Sequence, residues 1–325
     1  MINKFLVTVL LLSITMQSYA WGFYGHRQIN YYAVFLLPPE MMVLYKPNID
    51  FLTEHAVDPD KRRYAVKGEA PKHYIDIDQY GVYPWDSLPR GWNDAVKKYS
   101  EDSLNAYGIV PWWVQVMERR LTDAFKAKDQ VRILKLSAEI GHYIADAHVP
   151  LHASQNHNGQ FSNQTGIHGF WESRLPELFA ENSYDFLVGR ATYIEQPGEF
   201  IWARVIESGA AADTVLRTEA ALNAVFPTDQ KYAYEERMGK VVRQYSALYS
   251  KAYQDKLNGM VERRMRQSIF AVASFWFTAW VNAGQPDLKN LTNKTFSAED
   301  QKEFEEMNMK WQSGKVLGKD IEETP

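Results

Sequence analysis

Residues 141–152 read Gly-His-Tyr-Ile-Ala-Asp-Ala-His-Val-Pro-Leu-His. Apolar residues recur at helical spacing over residues 129–147, and Pro150 cannot continue such a helix. His142 and Asp146 are four residues apart, so on this helix they share one face. The stretch therefore predicts a helix that carries a histidine and a carboxylate side by side, at a spacing that suits zinc ligands.

Other histidines gather around this stretch. Seven of the eight histidines lie between His55 and His168, and the eighth is His26. His168 and Glu172 repeat the spacing of four residues, and His152 follows the predicted helix in the next turn. A lone histidine on a helix is more often a structural residue than a metal ligand. Several histidines that can each be matched with a carboxylate indicate a metal cluster instead.

The rest of the chain also shows mostly helical periodicity. Pro111 begins an apolar pattern that continues to Phe125, and Thr228 is placed to cap a helix that reaches Tyr249. Residues 269–283 are apolar on nearly all sides, which at about fifteen residues indicates a buried helix and not a membrane span. Alternating strand patterns are scarce. The predicted fold class is therefore all-α, with a single compact multi-helix domain.

The amino-terminal residues have the pattern of a secretory leader. Lys4 precedes an apolar run over residues 5–14, and small residues at Ser18 and Ala20 predict cleavage before Trp21. The run is too short to span a bilayer, so we expect no transmembrane segment in the mature chain. We expect the protein to be exported through this signal peptide and to be periplasmic or secreted.

These patterns divide the chain into a leader, a domain and a tail. The tail is polar and charged, a helix is expected over residues 298–311, and nothing catalytic is expected there. The predicted bounds are residues 1–20 for the signal peptide, 21–286 for the domain and 287–325 for the C-terminal tail.

The composition indicates a folded protein with a large core and excludes disulfide cross-links. A hydrophobic content of 46% is sufficient for a sizeable core, and a net charge of −4 does not indicate an extended basic surface. The chain contains no cysteine, so an exported protein of this size has no disulfide, and bound metal is the expected cross-link. The sequence has no phosphate-binding glycine loop, no His-Glu-x-x-His pair and no serine nucleophile elbow.

The histidine-rich segments resemble the zinc-dependent phospholipase C and single-strand-specific nuclease family, which includes nucleases of the S-one and P-one type. The resemblance covers residues 21–176 by motif and extends more weakly to about residue 286. It implies three zinc ions. One zinc would be held by Asp58, His73, His142 and Asp146, the second by the amino nitrogen and carbonyl of Trp21 with His26 and a shared Asp146, and the third by His152, His168 and Glu172.

The resemblance also implies the chemistry. Paired zinc ions that share Asp146 would lower the pKa of a water between them from about 15.7 towards about 7. Asp76, three residues after His73, matches an aspartate that orients or deprotonates the attacking water. Lys61 falls where these nucleases carry an arginine that steadies the phosphate. Tyr74 takes the place of an aromatic residue that stacks on a base, although a role in the core is equally open.

The predicted function is hydrolysis of single-stranded DNA or RNA by a zinc-dependent endonuclease, with the nucleic acid as the partner and no stable protein partner inferred. A phospholipase C is the first alternative, because Glu172 stands where the nucleases usually have aspartate. A loop with exposed apolar side chains near the site would favour lipid, and a base-stacking slot at Tyr74 would favour nucleic acid. A non-catalytic binding protein, stabilised by zinc in place of disulfides, is the second alternative.

Overall fold

The computed structural model describes residues 22–237, 240–314 and 317. The predicted leader and the predicted ligand Trp21 lie outside these residues. The chain is 67% helix and 4% strand, which confirms the all-α prediction. The α-helices of the described residues are α1 (Gly22–Val34), α2 (Pro39–Tyr45), α3 (Ile49–Glu54), α4 (Asp58–Arg62), α5 (Trp92–Tyr99), α6 (Glu101–Tyr107), α7 (Val110–Ala127), α8 (Gln130–Asp146), α9 (Ile167–Gly169), α10 (Leu175–Ser183), α11 (Pro197–Asn223), α12 (Ala247–Lys256), α13 (Met260–Asn282) and α14 (Ala298–Gln312).

Helix α8 is the histidine-bearing helix that the sequence predicts. The carboxylate of Asp129 accepts a hydrogen bond from the Arg132 amide and caps its first turn. Helices α1, α7 and α13 pack against α8, and its last turns are buried on all sides. The indole of Trp276 on α13 donates to the Ser137 carbonyl at 2.9 Å. His142 and Asp146 therefore belong to the interior of the molecule and not to its surface.

Gly141 allows α1 and α8 to approach each other closely. A Cβ atom at this position would lie 2.0 Å from the Asn30 side-chain oxygen, a distance that real side chains do not adopt. The amide of Asn30 donates to the carbonyls of Leu52 and Ala138, which fixes α1 across α3 and α8. One turn away, the ring of His26 stacks on that of His142 with centroids 3.8 Å apart. A small residue before His142 is thus what brings the two histidines together.

The apolar stretch that the sequence predicts to be a buried helix forms the second half of α13, which begins earlier than predicted, at Met260. Its inward residues include Ile269, Val272 and Trp276, which are fully buried. Within the ranges that the structure describes, no helix is both long and apolar enough to cross a membrane.

Residues 228–237 and 240–245 do not form the helix that Thr228 is predicted to cap. They contain strands β1 (Tyr232–Arg237) and β2 (Lys240–Tyr245), which pair in antiparallel fashion with Tyr232 opposite Tyr245. The rings of these two tyrosines are 5.1 Å apart, a cross-strand pair that favours the sheet. Ser246 caps the next helix by accepting from the Tyr249 amide, so helix formation begins only at α12.

Candidate metal centre

Two neighbouring groups of buried side chains form the candidate site. We call His26, Asp60, His73, His142 and Asp146 the five-residue cluster, and His152, His168 and Glu172 the three-residue cluster. The structure brings these residues together as three overlapping or adjacent sets of possible metal ligands, each with ligand atoms within 4.8 Å of one another. Histidine nitrogens and carboxylate oxygens at such distances are the ligands that zinc takes in proteins.

Asp146 lies at the centre of the five-residue cluster. Its Oδ2 is 3.0 Å from His73 Nδ1 and 3.2 Å from His142 Nε2. Its Oδ1 is 3.5 Å from His26 Nε2. Asp60 Oδ1 closes the group at 3.4 Å from His142 Nε2. One carboxylate therefore faces the three imidazole rings of this cluster, an arrangement that suits a ligand shared by two ions.

Many of these polar atoms have no hydrogen-bond partner among the described residues. Both ring nitrogens of His26, both carboxylate oxygens of Asp60 and Oδ1 of Asp146 are buried and unpaired in this way. A buried polar atom without a partner costs about 1–3 kcal/mol, and an unpaired buried charge costs more. A metal ion bound between these atoms would remove that cost. The unsatisfied atoms of this donor set thus fit a bound metal ion.

Backbone carbonyls hold two of the histidine rings in place. His142 Nδ1 is 2.9 Å from the Ala56 carbonyl, and His152 Nδ1 is 2.6 Å from the His73 carbonyl. Each carbonyl accepts from the ring N–H and so selects the tautomer whose Nε2 carries a lone pair. Both Nε2 atoms then face carboxylates of the clusters.

The three-residue cluster is held by a local irregularity of the backbone. Glu172 Oε1 is 2.9 Å from His168 Nε2, and Glu172 Oε2 is 3.3 Å from His152 Nε2. Residues Phe170–Arg174 form a π-helical turn between α9 and α10, a feature common at functional sites. Arg174 donates from Nε to the Tyr245 carbonyl at 3.1 Å, so the hairpin β1–β2 supports the turn that carries Glu172.

The electrostatics of both clusters favour a cation. Burial lowers the pKa of His142, but the charges of Asp146 and Asp60 outweigh burial and raise this pKa to about 10. The pKa of His152 rises to about 9 because Asp146 and Glu172 overcome its burial in the same way. Burial and the charge of His142 lower the pKa of His26 to about 3. The carboxylates thus favour positive charge at His142 and His152, where a bound metal ion would take the place of the ring proton.

The structure corrects the prediction that Asp58 belongs to the cluster. The carboxylate of Asp58 lies 2.5 Å from His55 Nδ1 and 3.2 Å from Lys61 Nζ. Asp60 takes its place beside the histidines. Residues two positions apart on an α-helix are separated by a rotation of about 200°, so on α4 these two aspartates point in nearly opposite directions. The aspartate beside the histidines thus lies two residues further along the chain than the sequence predicts.

The same shift changes the interpretation of Lys61. The predicted arrangement places a basic residue three positions after the aspartate ligand, and three positions after Asp60 is Arg63. Arg63 is buried, whereas Lys61 pairs with Asp58. Burial raises the pKa of the Tyr74 hydroxyl, the charge of Asp76 adds to the rise, and Arg63 opposes it. Arg63 and Asp76 are therefore both close enough to the Tyr74 hydroxyl to act on it electrostatically.

Tyr74 does not present a ring face for base stacking, and that prediction is corrected. Its side chain is 3% exposed, and its hydroxyl lies 3.4 Å from the Ala106 carbonyl. Gly108 allows this close packing, because a Cβ atom there would lie 2.2 Å from the Tyr74 carbonyl oxygen. Tyr74 is thus a core residue beside the site.

Asp76 lies in the stretch that connects the two clusters. It is 4% exposed, and its amide donates to the Tyr107 carbonyl at 2.6 Å. The neighbouring Ile75 amide donates to the His152 carbonyl at 2.9 Å. The backbone thereby fixes residues 73–76 against the three-residue cluster. The proposed role of Asp76 as a base, like the roles of the ligands, stays a prediction.

The two aspartates of α4 provide a matched pair of variants. We expect Asp60→Asn to lower the affinity for one zinc ion by at least about 100-fold, since it removes a ligand charge and not only an outer hydrogen bond. Asp58→Asn should leave the zinc content unchanged. Metal analysis after dialysis against a weak chelator measures both. Zinc loss in Asp58→Asn with full retention of zinc in Asp60→Asn would show that Asp58, and not Asp60, is the ligand.

The comparisons with known proteins agree with this geometry. The model of the S1/P1 nuclease family matches residues 21–275 of the chain. A comparison with curated proteins found no match. The matched range contains every residue of both clusters and covers well over half of the sequence. The chain therefore belongs to the S1/P1 nuclease family, which makes it a nuclease and so a phosphodiesterase.

Proposed function

We propose that the protein is a zinc-dependent endonuclease that hydrolyses single-stranded DNA or RNA. The observation that carries the proposal is the convergence of buried, unpaired histidine and carboxylate atoms within the range that matches the nuclease family. We assign one zinc to Asp60, His73, His142 and Asp146, the second to Trp21, His26 and the shared Asp146, and the third to His152, His168 and Glu172.

Zinc ions in such a site supply an activated water at neutral pH and stabilise the charge that develops on phosphate oxygens. The protein residues supply the rest of the mechanism. Asp146 faces the imidazole of His26 with one carboxylate oxygen and those of His73 and His142 with the other. Asp76 takes the proton of the attacking water at a carboxylate oxygen. Arg63 replaces Lys61 in the proposal as the residue that steadies the phosphate, because it stands three residues after Asp60 and because a guanidinium suits the bidentate recognition of phosphate.

Two adjoining loops offer the stacking surface that Tyr74 does not. The carboxylate of Asp78 accepts from the Ser154 hydroxyl at 2.9 Å and from the Gln155 amide at 3.0 Å. This contact joins the loop after Asp76 to the loop after His152. Tyr83 on the first loop is 63% exposed, and Phe161 on the second is 71% exposed. Exposed rings on the loops that follow Asp76 and His152 suit the unstacked bases of a single strand.

The proposed substrate class can be tested with one set of assays. We expect single-stranded DNA and RNA to be cleaved at least about 100-fold faster than a duplex of the same sequence, because duplex bases are not free to stack on side chains. The rate should fall only moderately with salt, since the site depends on few lysine or arginine contacts with phosphate. Equal rates on single strands and duplex would contradict the proposed specificity.

A phospholipase C is the second candidate, and the same loops favour it. Val82 is 86% exposed and stands next to Tyr83, so the loops also have the exposed apolar side chains expected of a lipid-binding rim. Glu172 in the three-residue cluster also agrees with the phospholipases. Phosphatidylcholine vesicles included in the same assays decide between the two. Release of phosphocholine with intact nucleic acid would establish the second candidate.

Export is part of the proposal, because the amino group of Trp21 is a ligand only after cleavage of the leader. A protein that keeps Met or Ala before Trp21 has an amide nitrogen at that place, without an available lone pair. We expect this extended protein to bind about one zinc ion fewer than protein that starts at Trp21, and to be nearly inactive. Metal analysis and nuclease assays of the two forms measure this. Equal zinc content and equal activity would show that Trp21 is not a ligand.

A further inference from the structure

The C-terminal segment, which we define as residues 287–314 and 317, follows the range that matches the family and contacts the helices of the five-residue cluster. Its first contact is with α8, which carries His142 and Asp146. The Gln130 amide donates to the Thr292 carbonyl at 3.0 Å, and the Val131 amide donates to the Asn293 carbonyl at 3.1 Å. These bonds satisfy amide groups that the first turn of a helix leaves free.

The second contact is with the stretch that carries Asp60. The ring of Phe304 on α14 lies 4.4 Å from the ring of His55, just before α4. The Leu317 amide donates to the Arg63 carbonyl at 2.9 Å, just after α4. The segment therefore holds both ends of the helix on which Asp60 lies.

The third contact is with α1, which carries His26. The ring of Trp311 lies 5.3 Å from that of Phe23, three residues before His26. The ammonium group of Lys61 lies 6.0 Å from the centre of each of these rings. Cation and rings attract each other at such distances, so Lys61 joins α4 to both α1 and α14.

Helix α4 needs this support because it is short. It has five residues, from Asp58 to Arg62. A helix of this length has no stability of its own in water, so its position depends on tertiary contacts. The position of Asp60 relative to His73 and His142 depends on the same contacts.

We propose that the C-terminal segment positions the five-residue cluster, by fixing α4 against α1 and α8 so that Asp60 reaches the shared metal ligands. Phe304 and Trp311 are its positioning residues. The inference rests on the zinc binding proposed above, and it assigns a function to a segment that the sequence alone indicates to be peripheral.

The test uses the full mature chain with Phe304→Ala and Trp311→Ala combined. Met309→Ala is the matched control, because Met309 lies on the same helix and is 62% exposed. All variants also carry Glu172→Gln, which weakens the three-residue cluster, so that the measured affinity belongs to the five-residue cluster. Competition with a chromophoric chelator measures zinc affinity, and circular dichroism measures helix content.

We expect the double variant to lose about 10–100-fold in zinc affinity, as is typical when the support of a metal ligand is removed, with helix content unchanged. Trp311→Phe with Phe304→Tyr should restore the affinity. Unchanged affinity in the double variant would overturn the inference, even if the melting temperature falls. A loss of helix content in parallel with affinity would also overturn it, because that result indicates general unfolding. If the parent chain binds no zinc, the proposed function fails, and the inference fails with it.

Discussion

Asp146→Asn is expected to abolish most of the nuclease activity, with a loss of at least about 10³-fold. Asp146 faces His26 through one carboxylate oxygen and His73 and His142 through the other. Asparagine has no charge and only one oxygen, so both ions proposed for the five-residue cluster would lose a ligand and repel each other more strongly. A loss of 10³-fold corresponds to about 4 kcal/mol of transition-state stabilisation, a reasonable value for metal-ion catalysis.

Metal analysis should show the same variant with about one zinc ion per chain in place of three. The remaining ion would be the one proposed for His152, His168 and Glu172, a site that does not include Asp146. Asp123→Asn is the control, because Asp123 lies on the neighbouring helix α7 and its side chain is 67% exposed. Full zinc content in Asp146→Asn would refute the shared-ligand assignment.

Asp76→Asn should separate catalysis from metal binding. Asparagine cannot take a proton from water, so we expect turnover to fall by about 10²–10⁴-fold, the usual contribution of a general base. The zinc content should remain that of the parent. Stopped assays at saturating substrate and metal analysis of the same preparation measure the two quantities.

The control for this variant is Asp78→Asn. Asp78 lies two residues further on and accepts hydrogen bonds from Ser154 and Gln155, so its loss disturbs the same loop. An equal fall in turnover in both variants would indicate that Asp76 acts only through the loop. Full turnover in Asp76→Asn would show that another group is the base.

The sequence predicts those elements whose signals are local. Helix α8 has its cap at Asp129 and its apolar face within one continuous stretch, and α14 has its cap at Ser297. The capping bonds form between residues three apart, so such a helix can be recognised without knowledge of the rest of the fold. The histidine and carboxylate pairs of residues 142–146 and 168–172 are visible for the same reason.

The predictions that the structure corrects all depend on contacts between distant parts of the chain. Which aspartate of α4 faces the cluster depends on how a short helix docks, and spacing does not contain that information. Tyr74 is covered by the chain near Gly108, and nothing near Tyr74 in the sequence indicates this. The hairpin β1–β2 is stabilised in part by Arg174, whose guanidinium bonds to Glu235 across 61 positions. Spacing along the sequence does not reveal such contacts, because they depend on how the elements pack.

The close contact between Phe23 and Trp311 has a consequence for biosynthesis. The ribosome makes α1 well before the C-terminal segment. If the segment positions α4 as proposed, the five-residue cluster reaches its final geometry only after that segment has been made. A nascent chain that ends before the segment would carry the ligands of that cluster without the finished site. The order of synthesis would then ensure that only protein containing the segment becomes an active nuclease.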